Sequence, residues 1–464
     1  MLVDILAFIA MLLLVGASIF IHELGHFWLA RRRGMVVQCF SIGFGPAIWK
    51  KTVDGIEYRV SWFPLGGYVL LPQMNPASAI ESFDGKGEPP ESFPPVTPLT
   101  KIVVALAGPA MNFAFAIVLA MIIWVVGIPS DERPEMLIVT KVPQTSSEYA
   151  AGLRAGDKIE RVDGYKVANL EDVYEMIVTS TRTQIPFVVN RDGKKVRLLI
   201  EPKRNVEEGF RIPEFELGNA TYIVFLESGA PAEKVGLKIG DKIRSVDDVS
   251  VLNVSQLRDL LIHSAGKELT LKFERRGKPM QTTITPFFDA KESRGRIGVR
   301  LGLDPHAPKV TVYRVPIEQL ERHVYKTMRV LSALMHPKQT GITPSKMSGI
   351  PGIAQAITRG IKESFMNGLD VTLLVNINLA ILNLLPIPVI DGGHILFALA
   401  EWFRRKPLNG KFVRGTWTVF ASALIAFLLY INLNDVWRMV KPHILPDKTP
   451  ATNAVEQVTK PQRK

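Results

Sequence analysis

The sequence predicts a polytopic α-helical membrane protein with four transmembrane helices, a membrane-associated β-hairpin and two α+β modules outside the bilayer. Three observations carry this expectation. Four stretches are apolar for about the 20 residues that a helix needs to cross a hydrocarbon core of roughly 30 Å. A block in the middle of the chain repeats itself with a period of 84 residues, Gly152 to Gly236. Between the first two apolar stretches, helical patterning gives way to strand alternation around Val53-Asp54-Gly55-Ile56, a hairpin turn signal.

The first apolar stretch runs uncharged from Ile5 to Ile21, keeps helical character to Ala30 and stops at Arg31, Arg32 and Arg33. It lacks the basic leader and small-residue cleavage site of a removable signal peptide. The second, Ile102 to Ser130, carries Gly108-Pro109 and Asn112; the third, Val371 to Ile390, holds Asn376, Asn378 and Asn383; the fourth is Gly415 to Asn434. Basic clusters at Arg31–Arg33, Lys50-Lys51 and Arg404-Arg405-Lys406 mark the cytoplasmic side. That expectation places both termini and the repeat block on the other side, in a bacterium the periplasm.

Composition fits this division. Hydrophobic residues make up 47% of 464, with a mean hydropathy of +0.15. The net charge of +12 comes without a basic run interleaved with aromatics, which points to lipid headgroups and away from nucleic acid. A single cysteine, Cys39, excludes an intrachain disulfide framework and a cysteine-based zinc site, so any metal must be held by histidines and carboxylates.

In the repeat, Gly152-Leu153-Arg154-Ala155-Gly156-Asp157-Lys158-Ile159 returns as Gly236-Leu237-Lys238-Ile239-Gly240-Asp241-Lys242-Ile243. Each copy has a short helix candidate (170–179; 254–263) followed by strand-like runs. The Gly-Leu-x-x-Gly-Asp-x-Ile turn resembles PDZ domains over about 85 residues per copy. Before the repeat, Ile56, Tyr58, Val60 and Trp62 alternate with polar residues. After it, apolar residues from Ile317 to Met335 fall at helical spacing, predicting an amphipathic helix that lies on the membrane surface or packs on the modules.

The chemistry is concentrated at His22-Glu23-Leu24-Gly25-His26. On a helix, residues i and i+4 share a face, so both imidazoles can hold one Zn²⁺ while Glu23 takes a proton from water. An ionisable cluster directly after seventeen uncharged residues of a spanning helix is costly unless it is functional or paired. A catalytic zinc needs a third protein ligand. The run Asn383-Leu384-Leu385-Pro386-Ile387-Pro388-Val389-Ile390-Asp391-Gly392-Gly393-His394 offers two, Asp391 and His394, where prolines break the helix at membrane depth.

H-E-x-x-H in the first span together with N-x-x-P-x-P-x-x-D-G in a late one resembles the site-2 protease family of intramembrane metalloproteases. The tandem PDZ insertion resembles its bacterial RseP-type branch, over roughly residues 1–440. The resemblance implies His22, His26 and Asp391 as zinc ligands, Glu23 as general base and Asn383 as a substrate-contacting residue. Gly108, Pro109 and Asn112 match the family's second-span pattern. The hairpin around Asp54-Gly55, followed by Gly66-Gly67, matches its membrane-re-entrant β-segment. Ser348-Gly349-Ile350-Pro351-Gly352 departs from the family's S-G-P-I-G, which bears on the local turn alone.

The expected organisation is residues 1–33 (first span), 34–100 (β segment), 101–130 (second span), 131–220 and 221–305 (PDZ modules), 306–365 (amphipathic helix and connection), 366–400 (third span), 401–414 (cytoplasmic loop), 415–437 (fourth span) and 438–464 (a tail disordered after Pro446). The expected activity is zinc-dependent hydrolysis of peptide bonds within transmembrane segments. The resemblance implies pre-trimmed anti-sigma factors and remnant signal peptides as substrates. An exposed hairpin edge at Tyr58 and Val60 would hold an unwound substrate as an added strand. The modules would exclude bulky substrates by size or capture peptide tails. A scaffold with structural zinc has no use for Glu23, and a zinc transporter is disfavoured because histidine is confined to one of the four spans.

Overall fold

The computed structural model describes residues 2–74, 93–130, 134–205, 209–218, 221–289, 294–302, 304, 310–344 and 347–444. The tail after Pro446 lies outside the described residues. The chain divides into two compact units, residues 1–126, 314–324 and 344–464 in one and residues 127–313 and 325–343 in the other.

In the first unit, four helices are long and apolar enough to cross a membrane: Leu2–Arg32, Pro98–Val126, Phe365–Asn383 and Gly410–Arg438. We call them spans 1 to 4. Large side chains such as Leu13, Val125 and Val419 are exposed along them, as lipid-facing surfaces require. Small residues bring the spans together. A Cβ on Gly25 would lie 2.5 Å from the Ala107 carbonyl oxygen, so glycine lets spans 1 and 2 approach closely. The fully buried Asn376 of span 3 donates to Ser18 Oγ of span 1 at 2.9 Å. The third apolar stretch does not continue as one helix. It ends at Asn383, turns through Pro386 and Pro388, and restarts as the helix Asp391–Arg404. Gly392 and Gly393 are required in that turn, because a Cβ at either would meet a backbone carbonyl oxygen at 2.0 or 2.3 Å.

The hairpin forms with Asp54 and Gly55 both at positive φ, the geometry of a two-residue turn that the Asp-Gly pair favours. Its strands, Cys39–Val53 and Ile56–Leu70, fold back on themselves. Residues 39–42 pair with 67–70 on one side and with 57–60 on the other, while 49–53 pair with 56–60. The result is a four-layered ribbon in the order 67–70, 39–42, 57–60, 49–53.

Among its described residues, the connection 306–365 contains two helices longer than one turn, where the sequence predicted one, with the four-residue helix Pro337–Thr340 between them. The expected amphipathic helix forms as Pro316–Met335. Within the membrane unit its Gln319 donates to the Ala120 carbonyl at 3.0 Å and its His323 lies 3.1 Å from Asp370. The additional helix, Ile350–Glu363, begins at the Ser348–Gly352 turn. Span 4 caps it: the Gly349 and Gly352 amides donate to Asp435 Oδ2 at 2.6 and 3.0 Å, and the Ile350 amide donates to Asn432 Oδ1 at 2.9 Å.

The second unit holds the two repeated modules. The first has a four-stranded sheet in the order 165–166, 158–162, 185–191, 194–200 with the helix Leu170–Val178. The second orders its strands 278–284, 269–275, 242–246, 222–226, 299–302, with the helix Val254–Leu261. The repeat has a physical basis: buried Asp157 accepts two bonds from Arg191 at 2.6 and 2.7 Å, and Asp241 accepts two from Arg275, both at 2.7 Å. Each arginine also donates to the carbonyl of its turn glycine, Gly152 or Gly236. Both modules are α+β, as the repeat and its short helix candidates predict. Lys326 and Arg329 of the Pro316–Met335 helix reach Asp172 and Asp163 of the first module at 3.1 and 2.7 Å.

Candidate metal centre

Span 1 is helical through His22-Glu23-Leu24-Gly25-His26, so the two imidazoles project from one face. Asp391, the first residue of its helix, enters from the far side of the proline turn. His22 Nε2 and His26 Nε2 are 3.2 Å apart, and each lies 3.3 Å from one oxygen of Asp391. A tetrahedral zinc with bonds of 2.0–2.1 Å would separate neighbouring ligand atoms by about 3.3 Å. Among the described residues, these three form the only cluster of histidines, cysteines and carboxylates spaced to share a metal ion. Buried Asp391 Oδ2 has no hydrogen-bond partner, as suits an oxygen whose partner is a cation. The donor set fits a zinc ion.

Span 2 orients both histidines. His26 Nδ1–H donates to the Val104 carbonyl at 2.8 Å, which leaves Nε2 with its lone pair. The fully buried Asn112 carboxamide lies 3.2 Å from His22 Nδ1, and its Oδ1 has no partner. Turning the amide to place Oδ1 against Nδ1–H satisfies both atoms and frees His22 Nε2 in the same way. Gly108 provides the space: a Cβ there would sit 2.2 Å from His26 Nε2 and 2.7 Å from His22 Cε1. Pro109 follows inside the helix and cannot donate to Ala105, the residue four before it. Gly108→Ala is therefore expected to displace both imidazoles and lower zinc content while span 2 stays helical; metal analysis of the purified variant checks this.

Glu23 and His394 line the same cavity of about 200 Å³ as the three clustered residues. His394 stands one helical turn beyond Asp391 and outside the cluster. Asn383, the last residue of span 3, reaches to 3.4 Å from His22 Nε2. The opposite wall is Tyr68, Val69, Leu70 and Leu71. Gly67 keeps this strand close, since a Cβ there would meet the Ser41 carbonyl oxygen at 2.9 Å and Glu23 Cγ at 3.1 Å.

Tyr58 and Val60 do not form the edge that sequence alternation suggested. Both pair on two sides, Tyr58 with Phe40 and Lys51 and Val60 with Ile42 and Trp49. Among the described residues, the 67–70 segment pairs only with 39–42, so it is the edge at the site. Strand alternation looks the same in an edge and an interior strand. The one available signal was Gly66-Gly67, a pair that permits close backbone approach.

A helix-borne histidine pair closed by a carboxylate from a second helix, within a bundle of apolar spans, defines a membrane-embedded metallopeptidase. The chain belongs to peptidase family M50, whose profile matches residues 10–428. It is 28% identical to the regulator of sigma-E protease RseP of Escherichia coli K12, over 94% of this chain and 99% of that protein. It is 29% identical to protease RseP of Yersinia pestis, over 93% and 98%. A Neisseria meningitidis protein whose name places it among zinc metalloproteases is 30% identical over 94% of this chain and 99% of its own length. Among solved structures, a PDZ domain of an SdrC-like protein from Listeria monocytogenes aligns with 18% of this chain and 87% of its own, at 21% identity and a TM-score of 0.17.

Proposed function

We propose that this chain hydrolyses peptide bonds within the transmembrane segments of other membrane proteins, with zinc held by His22, His26 and Asp391 and with Glu23 as general base. The observation that carries the reading is the spacing of 3.2–3.3 Å among two imidazole nitrogens and a carboxylate, with Glu23 in the same cavity. A zinc ion there supplies Lewis acidity towards the scissile carbonyl and acidifies water. Glu23 takes the proton of the attacking water and delivers it to the leaving nitrogen. Asn112 and the Val104 carbonyl hold the imidazoles in the tautomer that presents Nε2. Asn383 orients the substrate backbone at the mouth.

A helical peptide bond is shielded by its own hydrogen bonds, so the substrate must be unwound before attack. The 67–71 edge beside Glu23 supports holding the unwound segment as an added strand. Val69→Pro removes an N–H on that edge and is expected to impair cleavage strongly, while Val69→Ala retains most activity. Equal activity of the two variants in a transmembrane-peptide assay would exclude strand addition here.

The basic flanks support an orientation with the active site towards the cytoplasm and the PDZ modules and termini in the periplasm of a bacterial inner membrane. The family resemblance supports an anti-sigma factor as one substrate, in keeping with a relative named as a regulator of sigma-E; signal-peptide remnants meet the same chemical requirement of a short membrane helix. Purified protein is expected to cleave a model transmembrane peptide, to stop when a zinc chelator is added and to recover on readdition of zinc. Cleavage that persists without bound metal would sink the proposal.

A further inference from the structure

Away from the metal centre, the membrane unit contains a second, larger cavity of about 710 Å³, within the range of about 300–1,000 Å³ typical of small-molecule sites. Its walls come from the turn after the hairpin, the proline-rich segment 93–98, the start of span 2 and the end of the Asp391–Arg404 helix. Gln73 braces one wall: its Oε1 accepts from the Val36 amide at 2.7 Å and its Nε2 donates to the Pro94 carbonyl at 2.8 Å.

The cavity is cationic. Glu401 is the one carboxylate among the described residues that line it, and it is committed: Lys101 donates to Oε2 at 2.8 Å and the Leu408 amide to Oε1 at 3.3 Å. Arg405 and Lys406 also line the cavity, and no carboxylate pairs with either among the described residues. Arg405 ends the helix in a left-handed conformation, φ 52°, at a position where glycine is usual. Beside them Trp402 and Phe403 are 54% and 85% exposed. An exposed aromatic pair next to unpaired cations at the end of a membrane-embedded helix is the composition of a membrane–water interface.

We propose that this cavity binds the phosphate headgroup of an anionic phospholipid, with Arg405 and Lys406 on the phosphate and with Trp402 and the proline wall against the glycerol and upper acyl chain. Two unpaired cations facing an apolar wall match a phosphodiester that carries hydrocarbon, whereas a free phosphate has no use for the wall. The site has a route to the metal centre. Lys101 precedes Val104 and Gly108 on span 2, and Glu401 shares its helix with Asp391. A bound headgroup therefore lies between the start of span 2, which carries the Val104 partner of His26, and the end of the helix that begins at Asp391.

Native mass spectrometry of the full-length chain in detergent, titrated with phosphatidylglycerol or phosphatidylcholine, reads binding without relying on catalysis. Phosphatidylglycerol is expected to bind preferentially. The double variant Arg405→Gln/Lys406→Gln should bind it roughly 30-fold more weakly, at about fivefold per cation. Lys50→Gln/Lys51→Gln makes the same charge change outside the cavity and should bind as the unaltered chain does. Equal losses in both double variants would reduce the effect to diffuse surface charge and overturn the site. Full displacement of the lipid by inorganic phosphate would overturn the lipid assignment in favour of a free-anion site. The segment 75–92 contains Glu81, Asp84, Glu88 and Glu91. Binding that appears only after its deletion would show that the chain's own acidic segment is the occupant, and would overturn the proposal.

Discussion

Glu23→Gln is expected to lower cleavage of a transmembrane peptide by about 10²–10⁴-fold, the range over which a positioned general base acts, while zinc content stays that of the unaltered chain. The substitution preserves size and hydrogen-bonding capacity, so the close approach of Gly67 to the side chain, and with it the place of the edge strand against span 1, is kept. What is lost is the ability to accept a proton. Glu23 stands outside the cluster of His22, His26 and Asp391, so its replacement should leave the metal site intact. Loss of zinc together with activity would make Glu23 a structural residue and would remove the base from the mechanism.

The parts of the site that sequence alone reveals are those governed by short-range periodicity. H-E-x-x-H needs only the 3.6-residue helical repeat to place both imidazoles on one face, and Pro386 and Pro388, two residues apart, remove two amide donors and so stop the helix that precedes them. Closure of the proposed ligand set by Asp391 depends on the path of the chain after Pro388, and from residue chemistry alone His394 was also a candidate and the commoner type of ligand. The contacts that fix the imidazoles come from span 2, 78 and 90 residues away: the Val104 carbonyl, and an Asn112 amide that could equally have faced a neighbouring helix.

The hairpin was legible as a turn and as alternating strands, but not in its pairing. Gly43 and Gly45, at φ 87° and 90°, bend the first strand so that it pairs twice, which moves the free edge from residues 56–62 to 67–71. The helix Ile350–Glu363 was missed because Ile350-Pro351-Gly352 reads as a loop. Proline is at home in the first turn of a helix, and the capping carboxylate, Asp435, comes from the far end of the chain.

Asp391→Ala is expected to abolish zinc binding, whereas His394→Ala should retain zinc. The two residues are one turn apart on the same short helix and line the same cavity, so a difference between them cannot come from general disruption of that helix. Only Asp391 approaches both Nε2 atoms to 3.3 Å, and its removal leaves two protein ligands where a catalytic zinc needs three. His394 lines the same cavity but stands outside the three-residue cluster, so its loss should weaken zinc affinity by no more than about 10–100-fold, the range for partners of ligands. Metal content after dialysis against a weak chelator separates the two. Zinc retained in Asp391→Ala but lost in His394→Ala would exchange their roles and require the 383–394 turn to rearrange when metal binds.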